Sequence, residues 1–223
     1  MNVNTTNDSS AAPAPSAAHG WRWVPVRSLG PRHRPRINDH LLGLSENDRY
    51  FRFGYAATDA QITKYVDMLD FERDEVFGIF NRRLSLIAMA HLASLPAPQR
   101  DGAGTMAEFG VSVLPPARGR GYGARLFEHA VLHARNRGAS TLFIHALSEN
   151  TAMLKIARNA GAEVERAGSE TEAWLKLPPV TIATRVGEMV EEQAAVFDYQ
   201  LKLQAQRVHE FIEILTEVKA HTS

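Results

Sequence analysis

Residues 118–123 read Arg-Gly-Arg-Gly-Tyr-Gly (RGRGYG), between the apolar run EFGVSVL (108–114) and a stretch of helical periodicity from Gly123 to Arg137. Leu126, Phe127, Ala130, Val131 and Ala134 recur at the spacing of one helix face. The hexapeptide therefore occupies a strand-to-helix turn, with glycines at every second position. Such a turn exposes backbone N–H groups, and the first helical turn adds its own unpaired donors and the positive end of the helix dipole, so phosphate or pyrophosphate is the ligand class it suits. Gly119, Gly121 and Gly123 let an anion approach without a Cβ in the way, and Arg118 and Arg120 add positive charge. A Walker A loop is excluded, because no Gly-Lys-Ser/Thr is present. A dinucleotide fingerprint fits poorly, because Pro115-Pro116-Ala117-Arg118 intervene where that turn leaves the strand at once, and no acid stands at the end of the next strand.

Outward from the loop the pattern is mixed. WRWVPVRSL (21–29) reads as a strand, PRHRPR (31–36) as a solvated loop broken by its prolines, and DHLLGLSENDRYFRF (39–53) as helix interrupted at Gly43 and restarted at Ser45. Thr58 and Gln61 form a capping box that predicts a helix from about Asp59 to Leu69. EVFGIF and LSLIAMAHLA flank Asn81-Arg82-Arg83 as an antiparallel hairpin, and TMAEFGVSVL adds a third strand. STLFIHAL is a strand, Asn150 to Ala160 a helix closed by Gly161, and AEVERAG with EAWLKL a closing hairpin before Pro178-Pro179. The connection from EFGVSVL through the long helix to TLFIHAL is a right-handed crossover between parallel strands. The class expected is α/β (α+β in some schemes), a mixed and mostly antiparallel sheet with helices on its faces. Residues 1–20 read as a disordered tail, 21–179 as one folded domain, and 180–223 as a long helix. In that helix Val190, Ala194, Phe197, Leu201, Gln204, Val208, Phe211, Leu215 and Val218 alternate in steps of four and three, the seam of a coiled coil or helical bundle, and a homodimer is predicted from it.

Composition narrows the function. The 223 residues carry 25 basic and 25 acidic side chains, a balance that gives no electrostatic footprint for nucleic acid. Cysteine is absent, which removes disulfides, thiolate metal sites and a cysteine nucleophile and suits a reducing, cytoplasmic compartment. No apolar run reaches the roughly 18 residues of a membrane span, and the N-terminus lacks signal-peptide features. No His, Asp and Glu share metal-ligand spacing, so no metal is expected.

The segment V-x-P-x-x-R-G-x-G-Y-G-x-x-L, Val113 to Leu126, resembles the acetyl-CoA-binding motif of the GNAT acetyltransferase superfamily, whose core R-x-x-G-x-G falls on Arg118, Gly121 and Gly123. The resemblance spans residues 74–178. AEFGVSV (107–113), N-x-x-M-L-x-x-A-R-x-x-G (150–161) and LSENDRYFRF (44–53) are similar to the bacterial protein-lysine acetyltransferase branch. It implies that the amides of Arg118, Gly119, Arg120, Gly121, Tyr122 and Gly123 hold the CoA pyrophosphate. It implies too that the preceding strand splays from its parallel neighbour, with pantetheine on the backbone of Val111 and Val113, and that Asn150 contacts the cofactor arm as well as capping its helix. Glu108 takes the position of the general base, the alternative being a solvent-facing strand glutamate. The tyrosine that acts as general acid in many relatives is replaced by Ala157, which leaves the thiolate to depart unaided, as its pKa, about 8.5 by analogy with cysteine, permits. The implied reaction is direct attack of an amine, protein lysine or small molecule, on the acetyl-CoA thioester. The rival reading is a CoA-binding, catalytically weak interaction module assembled through the C-terminal helix. His91 and His145, on strands, are structural or contact the substrate.

Overall fold

A computed structural model describes residues 24–95, 105–168, 170–179, 195, 198 and 199. The described residues form seven strands and five α-helices. In chain order these are β1 (Arg27–Leu29), α1 (Arg34–Leu42), α2 (Glu46–Phe53), α3 (Asp59–Asp67), β2 (Glu75–Phe80), β3 (Leu86–Leu95), β4 (Thr105–Val113), α4 (Tyr122–Asn136), β5 (Ala139–Leu147), α5 (Thr151–Asn159), β6 (Glu163–Ala167) and β7 (Glu170–Lys176). The strands make one sheet in the order β1-β2-β3-β4-β5-β7-β6, antiparallel throughout except for β4 and β5. That one parallel pair is the crossover expected around the glycine loop.

Side chains alternate between two cores, one on each sheet face. Phe77, Ala90, Phe109, Leu142 and Ile144 pack with Leu126, Phe127 and Ala130 of α4 and Leu154 and Ala157 of α5. Val76, Phe80, Leu86 and Met89 pack with Ile37 and Leu41 of α1 and Ile62 and Val66 of α3. The second core draws on no residue of β5, β6 or β7.

Local signals explain most element ends. Ser45 caps α2, its hydroxyl accepting from the Asp48 amide, and the Thr58–Gln61 capping box is formed in both directions. Gly138 and Gly161 stop α4 and α5 at φ of +81° and +83°, a backbone state that glycine adopts without strain. The run PRHRPR departs from the loop reading. Pro31–His33 form a single 3₁₀ turn and α1 begins at Arg34, because Pro35 lies in the first helical turn, where a missing N–H removes no intrahelical bond. Its arginines are used in packing: Arg34 donates to the carbonyls of Val66 and Leu69 at the end of α3, and Arg36 to the Tyr199 hydroxyl. The first strand is shorter than expected, Arg27–Leu29 alone. The N-terminal tail and most of the C-terminal helix lie outside the described residues. Of that helix, Ala195 is buried, and the Tyr199 ring lies 3.7 Å from the Arg27 guanidinium.

Candidate active site

The site is set by where β4 and β5 stop pairing. Their ladder runs from Thr105/Ala139 to Glu108/Phe143 and ends there. Beyond that point β4 continues along β3 to Val113, and β5 continues along β7 to Leu147. The two parallel strands thus separate into a cleft with Glu108 and Phe143 at its vertex. The Leu114 amide donates to the Ile87 carbonyl, which places even-numbered residues of upper β4 in bonds to β3 and turns the N–H and C=O of Val111 and Val113 away from it, toward the cleft. No β5 residue is paired with either position.

The glycine loop lies at the open end. Gly119 and Gly121 have φ of +73° and +77°, so both adopt the left-handed conformation. Gly121 is the N-cap of α4 and supplies no side-chain cap, so the N–H groups of the first helical turn remain available to an anion. No acid occupies that turn. Gly123 serves packing instead: a Cβ there would lie 3.3 Å from Ile156 Cδ1, so this glycine lets α4 approach α5. Arg118 and Arg120 are both exposed. Arg118 is held on two sides, its Nε donating to the Val113 carbonyl at 3.1 Å and its Nη2 lying 2.5 Å from Asp48 Oδ1. Tyr122 packs against the α4-side core. Asn150 caps α5, its Oδ1 accepting from the Met153 amide at 3.1 Å. Its side-chain NH₂ donates to nothing among the described residues, so cap and cofactor contact are compatible. Ala157 is fully buried, and a tyrosine would not fit at that position without displacing the core.

Phe109 and Ala107 point into the α4 core, so Glu108, Gly110 and Ser112 share the opposite face with α1 and α2. Glu108 is half-buried, between Ala93 of β3 and Phe143 of β5. Gly110 has no room for a side chain: a Cβ would come within 2.8 Å of the Arg52 guanidinium carbon. Ser112 lies 2.8 Å from His40 Nε2, and His40 Nδ1 lies 2.9 Å from the Leu86 carbonyl, so Nδ1 carries the proton and Nε2 accepts from the serine. Burial lowers His40 to about 4, so the ring is neutral near pH 7. It clamps upper β4 to β3 just where β4 has lost its other neighbour.

The stretch LSENDRYFRF supplies residues that the reading of the sequence left without roles. Ser45, Asp48, Arg49 and Arg52 recur at helical spacing. Arg49 donates to the carbonyls of Leu42, Leu44 and Ala57 and pairs with Asp59 at 2.7 Å, joining α1, α2 and α3. Asp48 reaches the glycine loop. Burial pushes its carboxyl up, but hydrogen bonds from Ser45 and Arg118 outweigh this and hold it below its ordinary value. Arg52 reaches Gly110, and its Nη2 donates to the Tyr65 hydroxyl at 2.9 Å. That hydroxyl lies 2.8 Å from His91 Nδ1, and His91 Nε2 lies 3.2 Å from Asp74. Burial, helped by the Arg52 charge, lowers His91 to about 4, so its Nε2–H faces Asp74 and Nδ1 accepts from Tyr65. His91 is therefore tied into the structure, whereas His145 is exposed beside Glu170.

A cleft between parallel strands, with a glycine-rich helix start at its mouth and a carboxylate at its vertex, defines a site for a long phosphate-bearing cosubstrate. The model of the Acetyltransferase (GNAT) family matches residues 44–162, just over half of the chain, and the protein belongs to that family of acyltransferases. The match begins at Leu44, earlier than the glycine motif by itself suggests, and so takes in α2. No curated protein matches. Among solved structures, the GNAT domain of Streptomyces lividans PAT is similar at 23% identity and a TM-score of 0.58, over 68% of this chain and 89% of that one. A putative phosphinothricin N-acetyltransferase is similar at 15% identity and 0.56, over 70% and 99%. Spermidine N-acetyltransferase from Vibrio cholerae, solved with CoA and spermine, is similar at 15% and 0.53, over 68% and 94%. These likenesses establish the shared fold. Among the described residues no three His, Asp or Glu are grouped to hold a metal, and no helix is long and apolar enough to cross a membrane.

Proposed function

We propose that this protein transfers an acetyl group from acetyl-CoA directly to an amine, on a protein lysine or a small molecule. The observation that carries this reading is the separation of β4 from β5 beyond Glu108 and Phe143, with an uncapped, positive-φ glycine turn at the open end. The Arg118 amide already donates to the Pro115 carbonyl at 3.2 Å, so the loop amides from Gly119 to Gly123, with the Arg118 side chain beside them, receive the pyrophosphate, and the backbone of Val111 and Val113 receives the pantetheine arm, with the Asn150 carboxamide beside it. Acetyl-CoA supplies the activated acyl group, and this geometry brings it to the vertex. There Glu108 takes a proton from the acceptor's ammonium, directly or through one water, and so frees the neutral amine to attack, because lysine, with an ordinary pKa of about 10.4, is otherwise protonated. Ala157 offers no proton to the departing thiolate. A second reading, a CoA-binding module with little catalysis, draws on that missing acid. Thiol release from acetyl-CoA with pooled amines separates the two. Assembly as a homodimer through the C-terminal seam, in a reducing, cytoplasmic setting, completes the proposal.

The direct test of the cofactor seat is Gly121→Val. Nothing lies within 4 Å of a Cβ at this position, so the substitution introduces backbone strain, not a clash. A β-branched residue at this φ is strained by about 1–2 kcal/mol, which displaces the loop amides while the fold persists. Calorimetry should show CoA binding lost in a variant with native circular dichroism. Unchanged affinity would remove the basis of the proposal.

A further inference from the structure

Among the described residues Arg52 has no acid partner. Among the described residues its guanidinium donates to Tyr65 and lies 5.2 Å and 5.6 Å from the ring centres of Phe53 and Tyr65, and no carboxylate lies within ion-pairing distance. Its neighbours differ. Arg49, one turn earlier on the same helix, is paired with Asp59, and Arg118 with Asp48. Arg52 Nε is buried and makes no hydrogen bond. The residue as a whole is only half-buried. It is also held in place, since Tyr65, His91 and Asp74 form a bonded chain behind it. The missing side chain at Gly110 is what admits the guanidinium to the strand.

That strand position is the one that matters. Gly110 follows the last β4–β5 pair by two residues and shares a face with Glu108, ~6.6 Å away along the strand. The far side of the same face has the opposite charge. By register, Phe143 and Trp174 lie in the row of Glu108, and Glu163, Glu165, Glu170 and Glu172 surround them on β6 and β7. Lys176 shares that face and pairs with Glu163 at 3.4 Å, so four carboxylates stand there against one lysine and the β7 side carries an acidic excess where the α2 side is cationic. We propose that Arg52 determines acceptor specificity by binding a carboxylate that the acceptor carries one or two carbons from its amine, as in a free amino acid. The ammonium then faces Glu108 and the carboxylate faces Arg52, with the acceptor's side chain over Phe143. A rigid, partly desolvated guanidinium suits this task, because its planar donors take a carboxylate in two parallel bonds.

The inference rests on the acetyl-transfer reading, and the experiment separates the two. Thiol release from acetyl-CoA is measured with free methionine, lysine and phenylalanine, with their carboxamides, and with a lysine-containing basic peptide, for the wild type, Arg52→Gln and Arg52→Lys. CoA affinity is measured by calorimetry in parallel. The wild type should favour each acid over its amide by about 10–10²-fold in kcat/KM, the size of one charge-assisted contact. Arg52→Gln should bring that ratio close to one, mainly through KM, and Arg52→Lys should restore part of it. Equal rates with acid and amide, a preference for the basic peptide, or a ratio unchanged in Arg52→Gln would each overturn the assignment while leaving acetyl transfer intact. Absence of both CoA binding and thiol release would instead overturn the reading beneath it.

Discussion

Asp48 Oδ1 and Arg118 Nη2 are 2.5 Å apart, which ties the second helix of the domain to the turn that opens α4. One of these residues lies near the start of α2 and the other in the proposed pyrophosphate seat, so the pair holds α2 and the glycine loop in one frame. The Arg118 side chain is 48% exposed, which limits the energy of the pair to about 0.2–1 kcal/mol. Asp48→Asn should therefore raise the KM for acetyl-CoA by about 1.4- to fivefold, with kcat at saturation nearly unchanged. The difference should shrink in high salt, which screens the wild-type pair. A KM indistinguishable from the wild type at low salt would show that the loop keeps its geometry without the pair.

Glu108 stands at the vertex of the cleft, where it is the proposed base. Glu108→Gln keeps its shape and removes its basicity, so turnover should fall by about 10²–10⁴-fold at neutral pH. Raising the pH should recover part of the rate, because a growing share of the amine is then already unprotonated. A variant with near-normal rates at pH 7 would move the base elsewhere.

His40 and His91 predict acid lability. Both are lowered by burial to about 4 from an ordinary 6.5, so the native state resists protonation more than the unfolded chain. The stability this represents is fully present above about pH 6.5 and is lost as the pH falls toward 4. For His40, almost fully buried, it amounts to about 3 kcal/mol. The wild-type Tm should fall across that window. His40→Gln should be less stable at pH 7 by about 1–3 kcal/mol, because hydrogen bonds to Ser112 and Leu86 are lost or weakened, and should show a shallower decline on acidification. Parallel pH profiles for the two proteins would exclude the ring as the sensor.

The proposed dimer rests on the sequence seam, whose residues lie outside the described ones. Tyr199 and Ala195 bear on it. The Tyr199 hydroxyl accepts from Arg36 at 2.8 Å, and its ring meets Phe80 edge-on at 5.5 Å. Both positions lie off the four–three seam in the sequence, so a homodimer through that seam stays the proposal. Leu201→Asp combined with Leu215→Asp should yield monomers that still bind CoA, as read by sedimentation and calorimetry. A wild type that sediments as a monomer at high micromolar concentration would make the seam an intramolecular packing pattern.

The order of strands and helices, the crossover and the glycine turn were legible in the chain because each depends on local chemistry. Periodicity places Leu126 and Phe127 on one face, a capping box starts α3, and a glycine at positive φ ends α4 and α5. The places of Glu108 on β4 and of the RGRGYG turn before α4 were legible for the same reason, since they are neighbours along one strand and its turn. PRHRPR was misread because a proline in a first helical turn looks, by residue type alone, like one in a loop. What the chain could not reveal is which distant residues meet. Asp48 and Arg118 are separated by 70 positions, Arg52 and Gly110 by 58, and nothing local in LSENDRYFRF says that its charged side chains divide between the cofactor loop, a junction of helices and the cleft. Where β4 parts from β5 is likewise set by long-range pairing, since Phe109 and Ile144 are as apolar as the residues below them. Local propensities and turn chemistry act over a few residues and so appear in one dimension. The charge, register and proximity that make the site arise only when the sheet brings separate segments face to face.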